Sequence, residues 1–410
     1  MAFFSGSKND LNYSALVDIG SGSVLVTIIG SDPGKAHPDI IWSKREYTAL
    51  QNIDSISQSA KNVMSSLLNA MMILDSEGRK ALKEAVGISK LDFVQVTIAA
   101  PWSYTVTKTI SYKHDEPFNV SPDLVEELLR TSHKKVEEEL SENEKANNLG
   151  LSVVTRSCVG IIANGYPVTQ PSNQKAKSLK IVESSAVAQN YLLDALEEVQ
   201  HKVLPGSKSS LYSFMLIYYY LIKSLYPDTQ EYCLVDITYE ATEVGIVRDG
   251  ILNYSTHTPY GAYSLAREIS NILQIPLTEA FGHLHDENLN LDNLTLTAGQ
   301  KKDIEILLNS YTDKISALFH ETGDALSVPK KIFLHGNLET EAFFKEQISV
   351  AAKKATGLSH AVYPVSTVLL TRHYSEADKS HFMENASDTA LLISAQFFHN
   401  REFHSKFEQL

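Results

Sequence analysis

The chain has 410 residues, 43% of them hydrophobic, and a formal net charge of −13. That length and apolar content allow a large core divided into two or more domains and exclude a disordered chain. The acidic balance excludes a general affinity for nucleic acid, because neutralising phosphates needs clustered Lys and Arg. Cys158 and Cys233 lie in apolar, strand-like runs without ligand spacing, so neither a zinc site nor a disulfide framework is expected. Both read as buried thiols of a reducing cytoplasm. Residues 1–12 lack a long apolar core, so no secretory signal is expected, and the apolar run 212–223 is too short to cross a bilayer and reads as a buried helix.

From the N-terminus, residues 15–30 (Ala-Leu-Val-Asp-Ile-Gly-Ser-Gly-Ser-Val-Leu-Val-Thr-Ile-Ile-Gly) predict a strand ending at Asp18, a loop through Gly20 and Gly22, and a return strand over 24–29. Residues 55–74 repeat Ile56, Ala60, Val63, Met64, Leu67, Leu68 and Met71 at helical intervals, the pattern of a core-facing helix. A strand over 91–102 is closed by Pro101, and 103–112 alternates as another. Ser121-Pro122 supplies a cap and a first-turn proline for a helix reaching about Leu140. The Glu-rich residues 137–148 read as a solvated helix end and loop. A strand over 151–163, the turn Asn164-Gly-Tyr-Pro167, a strand over 177–182 and a helix over 185–203 complete a compact α+β block, 91–202.

Residues 232–256 then restate the first hairpin. An apolar run from Cys233 to Ile237 reaches Asp236, a polar step crosses Thr238 to Glu240, and a second run follows from Val244 to Val247. Asp249-Gly250 turns the chain, since Gly tolerates the positive φ of tight hairpins. A strand–Asp–loop–strand unit stated twice predicts two related lobes facing each other across a cleft. Helices over 275–290 and 297–318, a strand from 328 turning at Gly336, and helices over 341–355 and 389–397 are expected after it.

The paired Asp-bearing hairpins resemble the two phosphate loops of the actin-like ATPase superfamily. Within the inserted block, Val96-Thr-Ile-Ala-Ala-Pro101, the Asn164 turn and Leu179-Lys-Ile-Val-Glu-Ser-Ser-Ala-Val-Ala-Gln-Asn190 are similar to the subdomain that FtsA and PilM carry. Residues 248–261 resemble the hairpin after the second phosphate loop of FtsA. The likeness covers nearly the whole chain in the family's order. It implies an α/β, actin-like two-lobed fold of duplicated ribonuclease-H-like domains with an FtsA/PilM-type inserted α+β subdomain. The implied layout is a first lobe over 1–90, the insert over 91–202, a second lobe over 203–365 with a helical insert at about 276–325, and a return to the first lobe over 366–410.

Phosphate loops work because small residues let backbone N–H groups approach phosphate oxygens while a carboxylate orients hydrated magnesium. The resemblance therefore names Asp18, Gly20, Ser21, Gly22 and Ser23 in the first loop, Asp236 and Thr242 in the second and Gly336 in the adenosine element as candidate contacts for ATP with magnesium. Asp18 would hold the metal through water. The second loop departs from the pattern: Tyr239 obstructs backbone approach and Glu240 repels phosphate. Asn337 and Leu338 stand where further glycines are usual. Asp18 and Asp236 have an alternative role as turn caps, and Gly336 as a plain turn glycine. The fourteen histidines are scattered, and His283-Leu-His285 is not zinc spacing without further ligands.

The resemblance implies a cytoplasmic scaffold of the FtsA kind, with PilM as the second reading. It would link membrane machinery to an FtsZ-like polymer or a pilus base through a membrane-protein cytoplasmic tail, with self-association open and ATP hydrolysis slow or lost. The end of the chain places Phe403, Phe407 and Leu410 on one face but has few net positive charges for a peripheral membrane helix. A third reading is a small-molecule kinase or ATPase, for which Glu240 is the base on offer.

Overall fold

The computed structural model describes residues 12–48, 56–142, 150–168, 171–172, 174–286, 289, 296–320, 328–336, 340–372 and 388–400. Asn337, Leu338 and the aromatic residues beyond 400 lie outside them. In chain order, β1 (Asn12–Ile19), β2 (Ser23–Ser31), β3 (Asp39–Tyr47) and β4 (Phe93–Ile98) precede β5 (Ser103–Asn119), β6 (Leu151–Ala163), β7 (Tyr166–Pro167) and β8 (Lys175–Gln189). There follow β9 (Lys208–Ser213), β10 (Tyr232–Ile237), β11 (Thr242–Arg248), β12 (Ile251–Thr258), β13 (Lys331–Gly336) and β14 (Ala361–Pro364).

Two five-stranded sheets repeat one connectivity, β3-β2-β1-β4-β9 and β12-β11-β10-β13-β14. In each, the hairpin is antiparallel and its first strand then pairs in parallel with a later one. β2 and β10 are buried along their whole length, which is why they read as continuous apolar runs rather than as alternation. Between the sheets lies the helix Phe214–Leu225, buried at every residue from Phe214 to Ile222. It shares one apolar cluster with Leu16 and Leu25 of the first sheet, Leu234 and Phe333 of the second, and the helix Thr389–His399. That last helix also meets β4, with Gln95 Nε2 donating to Ser394 O at 3.1 Å.

The inserted unit is a sheet of order β5-β8-β6-β7 covered by the helix Pro122–Glu142, whose Val125, Leu128 and Leu129 pack in its core. Ser121 caps that helix, its Oγ accepting from Leu124 N at 3.2 Å. Two elements differ from the sequence reading. β8 runs on to Gln189 where a helix was expected from Ser185, because Ser184 to Ala188 are paired on both sides, with β5 and β6. Small residues of that kind follow their neighbours rather than their own propensity. β4 pairs with β1 and β9, and the helix Asn190–Val203 buries Leu192, Leu196 and Val199 in the first lobe's core. Ser103 to Asn119, Leu151 to Ala163 and Lys175 to Gln189 supply the long strands of the four-stranded sheet. The helix expected over 275–290 is only Leu277–Gly282 followed by a tight turn, His283–His285, whereas the longer one is Ala298–His320. Among the described residues no helix is long and apolar enough to cross a membrane.

Candidate functional site

Both hairpins end at one point. In the first sheet Asp18 stands opposite Leu25 on β2 and Thr97 on β4; in the second, Asp236 stands opposite Glu243 on β11 and His335 on β13. The first loop is closed by Gly20 N donating to Ser23 O at 3.0 Å and held from below by Trp102 Nε1 donating to Gly20 O at 3.1 Å. The second loop is closed by Thr238 N donating to Ala241 O at 2.9 Å, while Ala241 N donates to Thr238 Oγ1 at 3.0 Å. Thr238 Oγ1 also lies 3.0 Å from Ala100 O, at the end of the first lobe's β4.

The two loops touch. Glu240 N donates to Ser21 Oγ at 3.0 Å, and the Tyr239 ring lies flat on Gly22. A Cβ on Gly22 would sit 2.4 Å from Tyr239 Cγ, so only glycine admits the ring. Behind it, Tyr239 packs edge-on to Tyr263, with centroids 4.2 Å apart, and stacks on Phe281 at 6.1 Å. The helix Ala262–Leu273 spends its first N–H groups on the same loop: Ala262 N donates to Thr238 O at 2.9 Å and Tyr263 N to Tyr239 O at 2.7 Å. Gly261 permits that approach, as a Cβ there would lie 2.4 Å from Thr238 O. Glu240, the base considered for an enzyme, is held in a two-pronged ion pair by Arg267, at 2.9 and 2.6 Å.

Around the loops the buried charges are paired unequally. Arg45 binds Asp388 at 2.6 Å and Ser23 Oγ at 2.6 Å, and reaches Asp18 only at 3.8 Å. Burial pushes the Asp18 carboxyl up from 3.8 to about 7, against the pull of Arg45, and its Oδ1 has no hydrogen-bond partner among the described residues. Glu243 accepts from Thr105 N and Ser255 Oγ, both at 3.2 Å, through Oε1 alone. Burial, reinforced by the charge of Asp236, lifts it from 4.5 to about 8. His335 bridges Asp236 Oδ1 at 2.7 Å and Thr389 Oγ1 at 3.1 Å. Burial opposes its charge, but the bond to Asp236 and the charges of Glu341 and Asp388 outweigh that and raise its pKa. Thr242 Oγ1 donates to Tyr260 O at 2.9 Å, and Gly336 ends β13 beside Ile237 and Thr340.

No protein-family model matches the chain, and no curated protein does. Among solved structures, the chain is similar to one titled as a PilM–PilN type IV pilus biogenesis complex, with TM-score 0.57, 11% identity, and 96% of this chain and 99% of that one covered. A weaker likeness is to the ethanolamine utilization protein EutJ from Carboxydothermus hydrogenoformans, with TM-score 0.43, 10% identity and coverage of 94% and 89%. The fold is that of the actin-like ATPases. At that identity the likeness speaks for the fold alone.

Measured against the cofactor an actin-like fold implies, ATP with magnesium, the residues do not fit. Asp18, Gly20, Ser21, Gly22 and Ser23 are gathered as the resemblance required, but the space over Gly22 is filled by Tyr239. The backbone donors of Thr238, Glu240 and Ala241 are spent inside the protein. Asp236, Thr242 and Gly336 lie at the ends of β10, β11 and β13, the first two engaged with His335 and Tyr260. Among the described residues no group of three or more His, Cys, Asp or Glu could hold a metal ion. Sequence reading missed Arg45, Asp388, His335 and Arg267, which carry no local motif. It placed Tyr239 as an obstruction without foreseeing that the first loop receives its ring.

Proposed function

We propose that this actin-like protein is a scaffold of the FtsA/PilM branch that works without nucleotide turnover and docks an extended, cytoplasmic segment of a membrane protein. The observation that carries the reading is a cavity of about 480 Å³ between the inserted unit and the interlobe helix, lined by Cys158, Val159, Ile161, Tyr220, Lys223 and Ile251. Its volume falls in the range of ligand sites and its walls are mostly apolar. Beside it, β7 pairs with β6 at Ile162 and Ala163 and Val168 N donates to Ile161 O at 2.8 Å, Thr155 Oγ1 donates to Leu211 O of β9, and no further strand is paired along the outer edge of β6 among the described residues. An extended peptide satisfies such an edge by strand addition. Lys223 gives the site a sign. It donates to Tyr219 Oη at 2.9 Å and has no carboxylate within ion-pair distance among the described residues, and burial lowers its pKa to about 8. An occupant with apolar side chains and one carboxylate complements it.

The similar solved structure is titled as a complex of PilM with PilN, which supports a protein-docking role; the pilus-type and cell-division readings both remain compatible with the fold. The test uses synthetic cytoplasmic segments of single-span membrane proteins from the source genome, titrated into the labelled full chain by fluorescence anisotropy. Binding of an apolar, acidic segment that is lost in Lys223→Glu is expected. A segment that binds wild type and Lys223→Glu alike overturns the groove. Co-sedimentation with an FtsZ-like polymer in place of any segment moves the assignment to the division-type scaffold.

A further inference from the structure

We infer that Tyr239 is a built-in occupant of the interlobe cleft: a side chain of the second loop that keeps the first loop filled and the two lobes closed with no nucleoside triphosphate between them. Three features of different kinds converge on it. The first is shape, since the ring rests on Gly22 so closely that no other residue fits beneath it. The second is hydrogen bonding. Donors that would meet phosphate oxygens are turned inward, and one of them, Glu240 N, crosses to Ser21 of the opposite lobe, as Thr238 Oγ1 crosses to Ala100 O. The third is anchorage, because Tyr239 is 1% exposed and seated against Tyr263 and Phe281, which belong to its own lobe's core.

A triphosphate entering the cleft would have to lift the ring off that seat and break the Ser21–Glu240 bond. It would then lie against the carboxylate of Glu240. The lobes of this chain are therefore fixed relative to each other at the loops, and a partner meets one state of the groove rather than a nucleotide-dependent pair.

The experiment is independent of any docked peptide. In a Trp42→Phe background Trp102, 1% exposed and bonded to the Gly20 carbonyl, is the one tryptophan and reports on the first loop by its fluorescence. Full-length protein is melted with and without millimolar Mg·ATP or Mg·ADP, since a ligand that binds only the folded state raises Tm. Wild type and Tyr239→Phe are expected to show unchanged Tm and emission with either nucleotide. Tyr239→Gly is expected to melt several degrees lower, with red-shifted Trp102 emission. A magnesium-dependent rise of wild-type Tm with ATP overturns the inference, as does a Tyr239→Gly protein with the wild-type melt and emission. The wild-type titration decides the matter even where Tyr239→Gly does not fold.

Discussion

Asp18 and Asp236 occupy one position in two sheets of the same connectivity, yet the loops beyond them solve opposite problems. The first, Gly20-Ser21-Gly22-Ser23, is small and accepts contact from outside itself: Trp102 from below, Glu240 N and the Tyr239 ring from across the cleft. The second, Thr238-Tyr239-Glu240, is bulky and provides that contact, while an aromatic seat and Arg267 fix it from behind. A duplicated element thus becomes a socket in one lobe and a plug in the other. Two small loops would leave an open cleft, and two bulky ones could not approach.

The widest consequence of this asymmetry is expected at the plug. Truncating Tyr239 to Ala removes a ring buried at the meeting of two lobes and should cost about 3–5 kcal/mol, the range for large aromatic deletions, read as a lower urea midpoint. The converse change, Gly22→Ala in the socket, introduces a methyl where the ring already lies and should cost about 1–3 kcal/mol by overpacking. Equal tolerance of Ala at Gly20 and Gly22 would break the comparison, because a Cβ at Gly20 meets nothing nearer than Ser23 O at 3.2 Å.

A pH series sharpens it further. Asp18 and Glu243 keep in the folded state protons that the unfolded chain releases, from 3.8 up to about 7 and from 4.5 up to about 8. The native state binds more protons across that window, so these two groups make stability fall as pH rises from about 4 to about 8. His335 adds to the same trend, its contribution being complete below 6.5 and lost as pH climbs through its raised folded value. Asp18→Asn, which has no proton to lose, should flatten the slope of urea stability between about pH 4 and 7 by up to about 1.4 kcal/mol per pH unit. An unaltered slope would mean that Asp18 is charged in the folded protein. The smallest effect belongs to Tyr239→Phe. The hydroxyl is buried and makes no hydrogen bond of ordinary length among the described residues, so its removal should leave stability within about 0.5 kcal/mol of wild type or slightly above it.

Much of this architecture was legible. β1, β2, β10 and β11 are apolar runs broken by glycines or a polar step, and that signal survives into the fold because the strands are buried on both faces. The capped helix after Ser121 and the apolar helices at 214 and 389 were equally plain. β8 was misread beyond Val182 because Ser184, Ser185 and Ala186 have no strong preference of their own, and two flanking strands decide for them. Nor does any local pattern tie Arg45 to Asp388, 343 positions away, or His335 to Asp236 across a parallel register.

By itself the sequence determined the duplication, the insert and the composition of each loop, because alternation, glycine and apolar runs act over a few residues. Only the tertiary structure decided that Tyr239 points into the cleft rather than out of it. That direction is set by the aromatic seat of Tyr263 and Phe281 behind the ring and by the absence of a side chain on Gly22 before it, groups the folded chain alone brings to one place.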